Sequence, residues 1–115
     1  MILESITDGF YALDSDWRFI YMNSAGERIL ERAKGELIGK RLWEEYPGAV
    51  GTEFERVYRR VACGQGSESI TAHYPDLDRW YEVTAYPALD GLSVYFRDVT
   101  DRRQLEQERQ QFAAL

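Results

Sequence analysis

A chain of 115 residues holds one domain around one core, with no room for a second. Its 20 acidic against 14 basic residues give a net charge of −6, which excludes the basic face needed to bind nucleic acid or an anionic membrane. The single cysteine, Cys63, cannot form an internal disulfide and points to a reducing, cytoplasmic setting; with only one histidine, His73, beside it, no multi-His or multi-Cys metal site can form.

No apolar run approaches the roughly 20 residues that span a bilayer, and Met1-Ile2-Leu3-Glu4 lacks the basic start of a signal peptide. Ile2, Leu3 and Ile6 share one side of a short helix over residues 1–8, which Asp8-Gly9 breaks. Two β-rich runs follow, Gly9-Phe10-Tyr11-Ala12-Leu13 and Trp17-Arg18-Phe19-Ile20-Tyr21-Met22, joined as a hairpin by Asp14-Ser15-Asp16. Asn23-Ser24 offers a short polar side chain to cap a helix that turns Ala25, Ile29 and Leu30 inward. Gly35 and Gly39 then punctuate short helical pieces, one around Glu36-Leu37-Ile38 and one over residues 41–46 that Pro47-Gly48 stops.

Between Thr52 and Cys63, the residues Phe54, Val57, Tyr58 and Val61 recur at i, i+3, i+4 and i+7, the spacing of one buried helical face. Cys63 at the end of this helix reads as a small buried apolar residue. Three more strands, at residues 69–74, 79–86 and 92–97, are separated by Pro75-Asp76-Leu77-Asp78 and Pro87-Ala88-Leu89-Asp90-Gly91. Connections this short imply antiparallel neighbours. The fold class is therefore α+β: a five-stranded antiparallel sheet with short helices on one face, and a flanking helix at each end.

From Asp101 to Gln111 the chain is strongly helical in propensity and almost free of apolar residues. Leu105, Phe112 and Leu115 lie seven and three apart, a sparse coiled-coil seam. Such a helix expects a partner helix or more chain, so the sequence reads as a piece of a longer protein. The division is a flanking helix over 1–8, a core over 9–100 and a truncated signalling helix over 101–115.

Several stretches resemble the PAS family of sensory domains. Tyr21-Met22-Asn23-Ser24-Ala25 is similar to the family's second strand running into its first helix, and Gly35-Glu36-Leu37-Ile38-Gly39-Lys40 to its glycine-flanked segment. Arg79-Trp80-Tyr81-Glu82-Val83 resembles the fourth strand, and Asp98-Val99-Thr100-Asp101-Arg102 the Asp-x-Thr motif that closes the domain and launches a signalling helix. The likeness covers about residues 1–103 and departs at Trp17, where many relatives carry glycine in the first hairpin turn. It implies a PAS fold, a small organic ligand between helices and sheet, dimerisation, and a parent protein such as a bacterial histidine kinase or cyclic-di-nucleotide enzyme.

Flavin-binding light sensors of the family carry a reactive cysteine after the glycine matching Gly39, but here that stretch is Lys40-Arg41-Leu42-Trp43, with Leu42 at or near the cysteine position. Haem-binding relatives take a histidine from the longest helix, and Thr52–Cys63 has none. Neither flavin nor haem, nor any other cofactor, is expected. His73 reads as a surface or rim residue holding one hydrogen bond.

Alternation sorts the strands into faces. Tyr81, Val83 and Ala85 share one, while Trp80, Glu82, Thr84 and Tyr86 share the other; Leu92, Val94 and Phe96 alternate with Ser93, Tyr95 and Arg97. Charge at Glu82 and Arg97 marks the outer side. Tyr81, Val83, Leu92, Val94 and Phe96 then face the helices. The resemblance adds Tyr11, Leu13 and Leu42, and Phe54, Val57 and Val61 look back from the long helix. Such a set builds a packed core as readily as a ligand pocket. Tyr11 and Tyr81 tilt it toward a ligand, since a buried phenol needs a hydrogen-bond partner.

On the outer side, Phe10, Trp80 and Tyr95, with Ala12, Thr84 and Tyr86, would leave an aromatic patch larger than soluble monomers expose. Covering it with Ile2, Leu3 and Ile6 and a second copy gives a two-fold dimer. Thr100 reads as the N-cap of the last helix, and the resemblance makes Asp98 and Thr100 the junction that passes a signal on. The function expected is a cytoplasmic sensory input domain without catalytic residues, acting on an output or further PAS domain in the same chain. A ligand-free dimerisation or spacer module is the alternative, and a small pocket enzyme a third.

Overall fold

The aspartates after the first strand set the hairpin. In the computed structural model, which describes residues 7–113, Asp14 Oδ1 accepts the backbone N–H groups of Asp16 at 2.9 Å and Arg18 at 3.0 Å. Strand β1 (Gly9–Asp14) therefore turns sharply into β2 (Phe19–Met22), with a bulge between Ala12 and Leu13. The second strand begins at Phe19 and not at Trp17, because Trp17 holds a left-handed φ of 66°. A tryptophan stands here in the conformation glycine favours, at a cost of about 1–3 kcal/mol. Its ring lies 5.3 Å from that of Trp43, and the Arg59 guanidinium caps both at 5.3 and 5.4 Å, packing that offsets the strain. The helix expected over residues 1–8, with Ile2, Leu3 and Ile6, lies outside the described residues but for its last two positions, which are not helical.

Helix α1 (Ser24–Leu30) is capped by Asn23 as its sequence promises, and α2 (Leu42–Glu45) runs into a single 3-10 turn, Pro47–Ala49. The segment Glu36-Leu37-Ile38 is not helical. Gly35 and Gly39 take φ of 74° and 86°, and between them the chain makes turns that lay Ile38 beside Phe19 in an isolated parallel bridge. Thr52 caps α3 (Glu53–Ala62), which buries Phe54, Val57, Tyr58 and Val61, each worth about 1.5–3 kcal/mol. Cys63 closes α3 through its N–H to the carbonyls of Arg59 and Arg60, and that position outside the helix leaves it exposed, contrary to the expectation of burial.

Strands β3 (Glu68–Tyr74), β4 (Arg79–Ala88) and β5 (Gly91–Asp98) complete a five-stranded antiparallel sheet ordered β2-β1-β5-β4-β3. At its centre β5 opens opposite Asp14, where Gly91 comes so near the Leu13 carbonyl that no side chain fits. The helices lie over one face, and the core between holds Leu13, Phe19, Val57, Val61, Leu92 and Val94 at 0–1% exposure. Helix α4 (Thr100–Ala113) follows β5. No helix among the described residues is long and apolar enough to cross a membrane.

Candidate functional site

Between the sheet and α2–α3 a small cavity of about 60 Å³ remains. Of the expected ligand contacts, Tyr11, Leu42, Phe54, Tyr81, Val83 and Phe96 line it. Leu13, Val57, Val61 and Val94 do not; they are packed into the core. Sequence reasoning left out Phe19, Leu30, Tyr46, Tyr58, Tyr74 and Leu77, which complete the wall with Ala49. Period-two alternation from Ile70 through Ala72 points to Tyr74, and the stripe of α3 already contained Tyr58. Tyr46, in the irregular link after α2, carries no periodic signal.

Five tyrosines meet here, and burial is the chief force on each. Tyr11 and Tyr58 share a hydrogen bond between hydroxyls 2.8 Å apart, and burial holds both far above the ordinary phenol pKa. Tyr74 is also raised by burial, and next by the Asp76 carboxylate that accepts its hydroxyl proton at 3.1 Å. Tyr81 is pushed up to about 12, first by burial and then by the nearby Asp98 carboxylate. Tyr46 is raised by burial against the pull of Arg32, and its buried hydroxyl has no hydrogen-bond partner among the described residues. Arg32 lies 5.3 Å over the Tyr46 ring, held by Glu45 at 3.1 Å and Glu36 at 2.7 Å.

These shifts have a sign. All five phenols are neutral in both folded and unfolded chains below pH ~10, and above it the unfolded chain loses protons first. Stability is therefore complete below pH ~10 and is lost as pH rises beyond it. Denaturant midpoints measured from pH 8 upward should fall only past pH ~10, with phenolate absorbance of the buried five appearing together with loss of the near-UV dichroism. Their smooth ionisation in an intact fold would contradict the buried cluster.

The cavity wall contains neither thiol nor imidazole. Cys63 is exposed at the end of α3, and His73 sits on the outer face with Nε2 2.9 Å from Asp78 Oδ1, the single rim hydrogen bond expected of it. The cysteine of flavin–thiol chemistry and a histidine able to ligate haem iron are thus not in the cavity wall. Among the described residues no cluster of metal-ligating side chains occurs. Leu77 and Tyr81 line a second space as well, a polar cleft of about 350 Å³ between the end of α1 and β4, walled by Arg28, Glu31, Arg79 and Asp98.

The outer face differs from its sequence reading. Phe10 is buried, its ring 5.8 Å from Tyr21 and 4.8 Å from Tyr95. Trp80 is half-buried, flanked by His73 and covered by the Arg103 guanidinium 4.3 Å from its ring centroid. Tyr95 also meets Tyr86 edge-on at 5.9 Å, beside an open groove whose rim includes Glu82 and Arg97.

The junction with α4 is built on both strands. Thr100 is the first helical residue and not the cap; Asp98 Oδ1 accepts its N–H at 2.9 Å and its hydroxyl proton, while Thr100 Oγ1 accepts the N–H of Trp80 at 2.9 Å. Glu82 takes Arg97 of β5 at 2.6 Å and Arg102 of α4 at 3.2 Å, which holds its carboxyl below the usual range.

A family model described as the PAS fold matches residues 3–104. No curated protein sequence matches the chain. Among solved structures, an RNA-binding light-oxygen-voltage receptor is 24% identical over 98% of this chain with a TM-score of 0.68, and the chain spans 35% of that receptor's length. The PAS domain of a protein from Colwellia psychrerythraea is 19% identical, with 86% of this chain and 92% of that one aligned at a TM-score of 0.70. A sensory box sensor histidine kinase from Vibrio cholerae is 16% identical over 85% of this chain and 86% of its own, at 0.65.

Proposed function

Given that this chain belongs to the PAS family, and so is a sensory module and not a catalyst, we propose that it is the input domain of a longer signalling protein, a bacterial sensor histidine kinase or a similar regulator. Its working parts would be a flanking segment over 1–8, the sensory core over 9–100 and a signalling helix from 101, in the cytoplasm. A small organic ligand, neither flavin nor haem, occupies the cavity against Tyr11, Leu42, Phe54, Tyr81, Val83 and Phe96, with Leu13, Val57, Val61 and Val94 as the packing behind. Asp98 and Thr100 carry the change to α4 and on to an output or further PAS domain.

One observation supports this above the rest: a single strand serves both ends of the relay. On β4, Tyr81 lines the cavity while its neighbours Trp80 and Glu82 bind α4 through Thr100, Arg103 and Arg102. A ligand that moves Tyr81 must bias the helix, provided it prefers one of two arrangements.

PAS domains commonly dimerise, and in our reading two copies meet across the outer face through Phe10, Trp80 and Tyr95, with Ile2, Leu3 and Ile6 alongside. The groove lined by Phe10, Thr84, Tyr86 and Tyr95, with the Glu82–Arg97 pair at its rim, offers the aromatic surface for a two-fold contact. Sedimentation at rising concentration should show a dimer; a monomer throughout would remove this part. The second reading, a ligand-free dimerisation or spacer module, draws on the cavity's size, about 60 Å³ against the ~300 Å³ at which drug-sized pockets begin.

Asp98→Ala tests the junction. Two hydrogen bonds at the first turn of α4 are lost while the core stays intact. Amides of α4 should exchange with solvent about tenfold faster while the free energy of unfolding falls by less than ~1 kcal/mol. Equal loosening of sheet and helix would sink the proposal.

A further inference from the structure

We propose that the small cavity and the polar cleft beside it form one site for an α-amino acid with a short apolar side chain. The inference rests on the reading of the cavity as a ligand site and names what it takes. Leu77 and Tyr81 line both spaces, so the two adjoin at these side chains, and a shift of either opens one into the other.

The inner space is almost wholly hydrocarbon and aromatic, and its 60 Å³ equals the liquid share of about two waters. A three- or four-carbon chain suits it better than a ring. The cleft is the opposite, with two cations and two anions in its wall. Arg79 and Asp98 pair with each other at 3.6 Å, whereas Arg28 and Glu31 make no ion pair with a described residue. A carboxylate alone would meet Arg28 but also Glu31, and an amine alone would meet Glu31 but also Arg28. A zwitterion satisfies both without leaving a like charge opposed.

Glu31 is held in place by the end of its helix. It closes α1 in the left-handed conformation, φ 56°, its N–H bonded to the carbonyls of Glu27 and Arg28. That left-handed end closes the helix and turns the chain at the mouth of the cleft. The zwitterion's carboxylate also has Arg79 within the same wall. Drawing Arg79 from Asp98 alters the acceptor that holds the start of α4, which ties occupancy to the helix.

Calorimetric titration of the whole chain with L-valine, its 2-oxo acid, isobutylamine and isobutanol separates the cases. L-valine should bind at least tenfold tighter than either half-ligand, and Arg28→Ala and Glu31→Gln should each weaken it about tenfold. Both side chains are exposed, so neither variant should shift the denaturation midpoint. An oxo acid or amine that binds as well as L-valine, or variants without effect, would overturn the amino-acid assignment. Binding of isobutanol alone would overturn it too while leaving the cavity a ligand site. If nothing binds, isobutanol included, the ligand reading itself falls.

Discussion

Gly91→Ala is expected to destabilise the fold by more than ~3 kcal/mol, the largest effect of any single methyl in this chain. A Cβ at Gly91 would be driven into the carbonyl of Leu13, and the atoms behind it belong to the backbone of Leu13 and Asp14. Neither strand can give way, because β1 and β5 are hydrogen-bonded neighbours at the middle of the sheet and Leu13 is 1% exposed. Gly9→Ala is the useful contrast. There the obstacle is the Phe96 ring edge at 2.5 Å, a side chain able to swing, so the cost should be smaller. Urea denaturation of the two variants gives the comparison, and a Gly91→Ala protein within ~1 kcal/mol of the parent would mean that the β4–β5 turn lifts freely from β1.

Asn23→Ala should cost about 3 kcal/mol. Asn23 is wholly buried, and its Oδ1 accepts two backbone donors, Gly26 N–H at 2.8 Å in α1 and Phe10 N–H at 2.9 Å in β1. Its Nδ2 donates to the Asp8 carbonyl at 3.2 Å. Alanine strands both N–H groups away from water. Asn23→Asp keeps the acceptor but sets a second oxygen against the Asp8 carbonyl and buries a charge, so it should recover only part of the loss, whereas serine is too short to serve Gly26 and Phe10 together. An alanine variant no worse than an ordinary exposed cap would show that the link between β1 and α1 is dispensable. That link matters to the site, since α1 supplies Leu30 to the cavity and Arg28 and Glu31 to the cleft.

Where the chain is periodic, its sequence was a reliable guide. The stripe Phe54-Val57-Tyr58-Val61 marked α3, and strand alternation marked Tyr81, Val83 and Phe96 as inward. Legibility failed where long-range contact decides. Glu36-Leu37-Ile38 has helical composition, yet its outcome was set by pairing with Phe19, seventeen or more residues earlier in the chain. Tyr46 and Leu77 reach the cavity from irregular links, where no local spacing reports a direction. Alternation places Trp80 on the outer side, but its cover by Arg103 depends on where α4 leaves the sheet, which a single-strand pattern does not encode. Cys63 shows the hazard of composition: cysteines are commonly buried, but one residue past a helix face suffices to expose it.

Among its described side chains, helix α4 touches the sheet at its root. Every residue from Gln104 to Gln111 is exposed, so Arg102 and Arg103 act as a fulcrum and the rest as a free arm. The ten residues beyond Arg103, at the α-helical rise, give an arm of about 15 Å, on a cylinder of about 2.3 Å radius. Tilting it by ~10° needs a slip of about 0.4 Å at the root and swings the far end by about 2.6 Å. Such a mechanical gain, about sixfold, turns a rearrangement smaller than a bond length into a displacement longer than one.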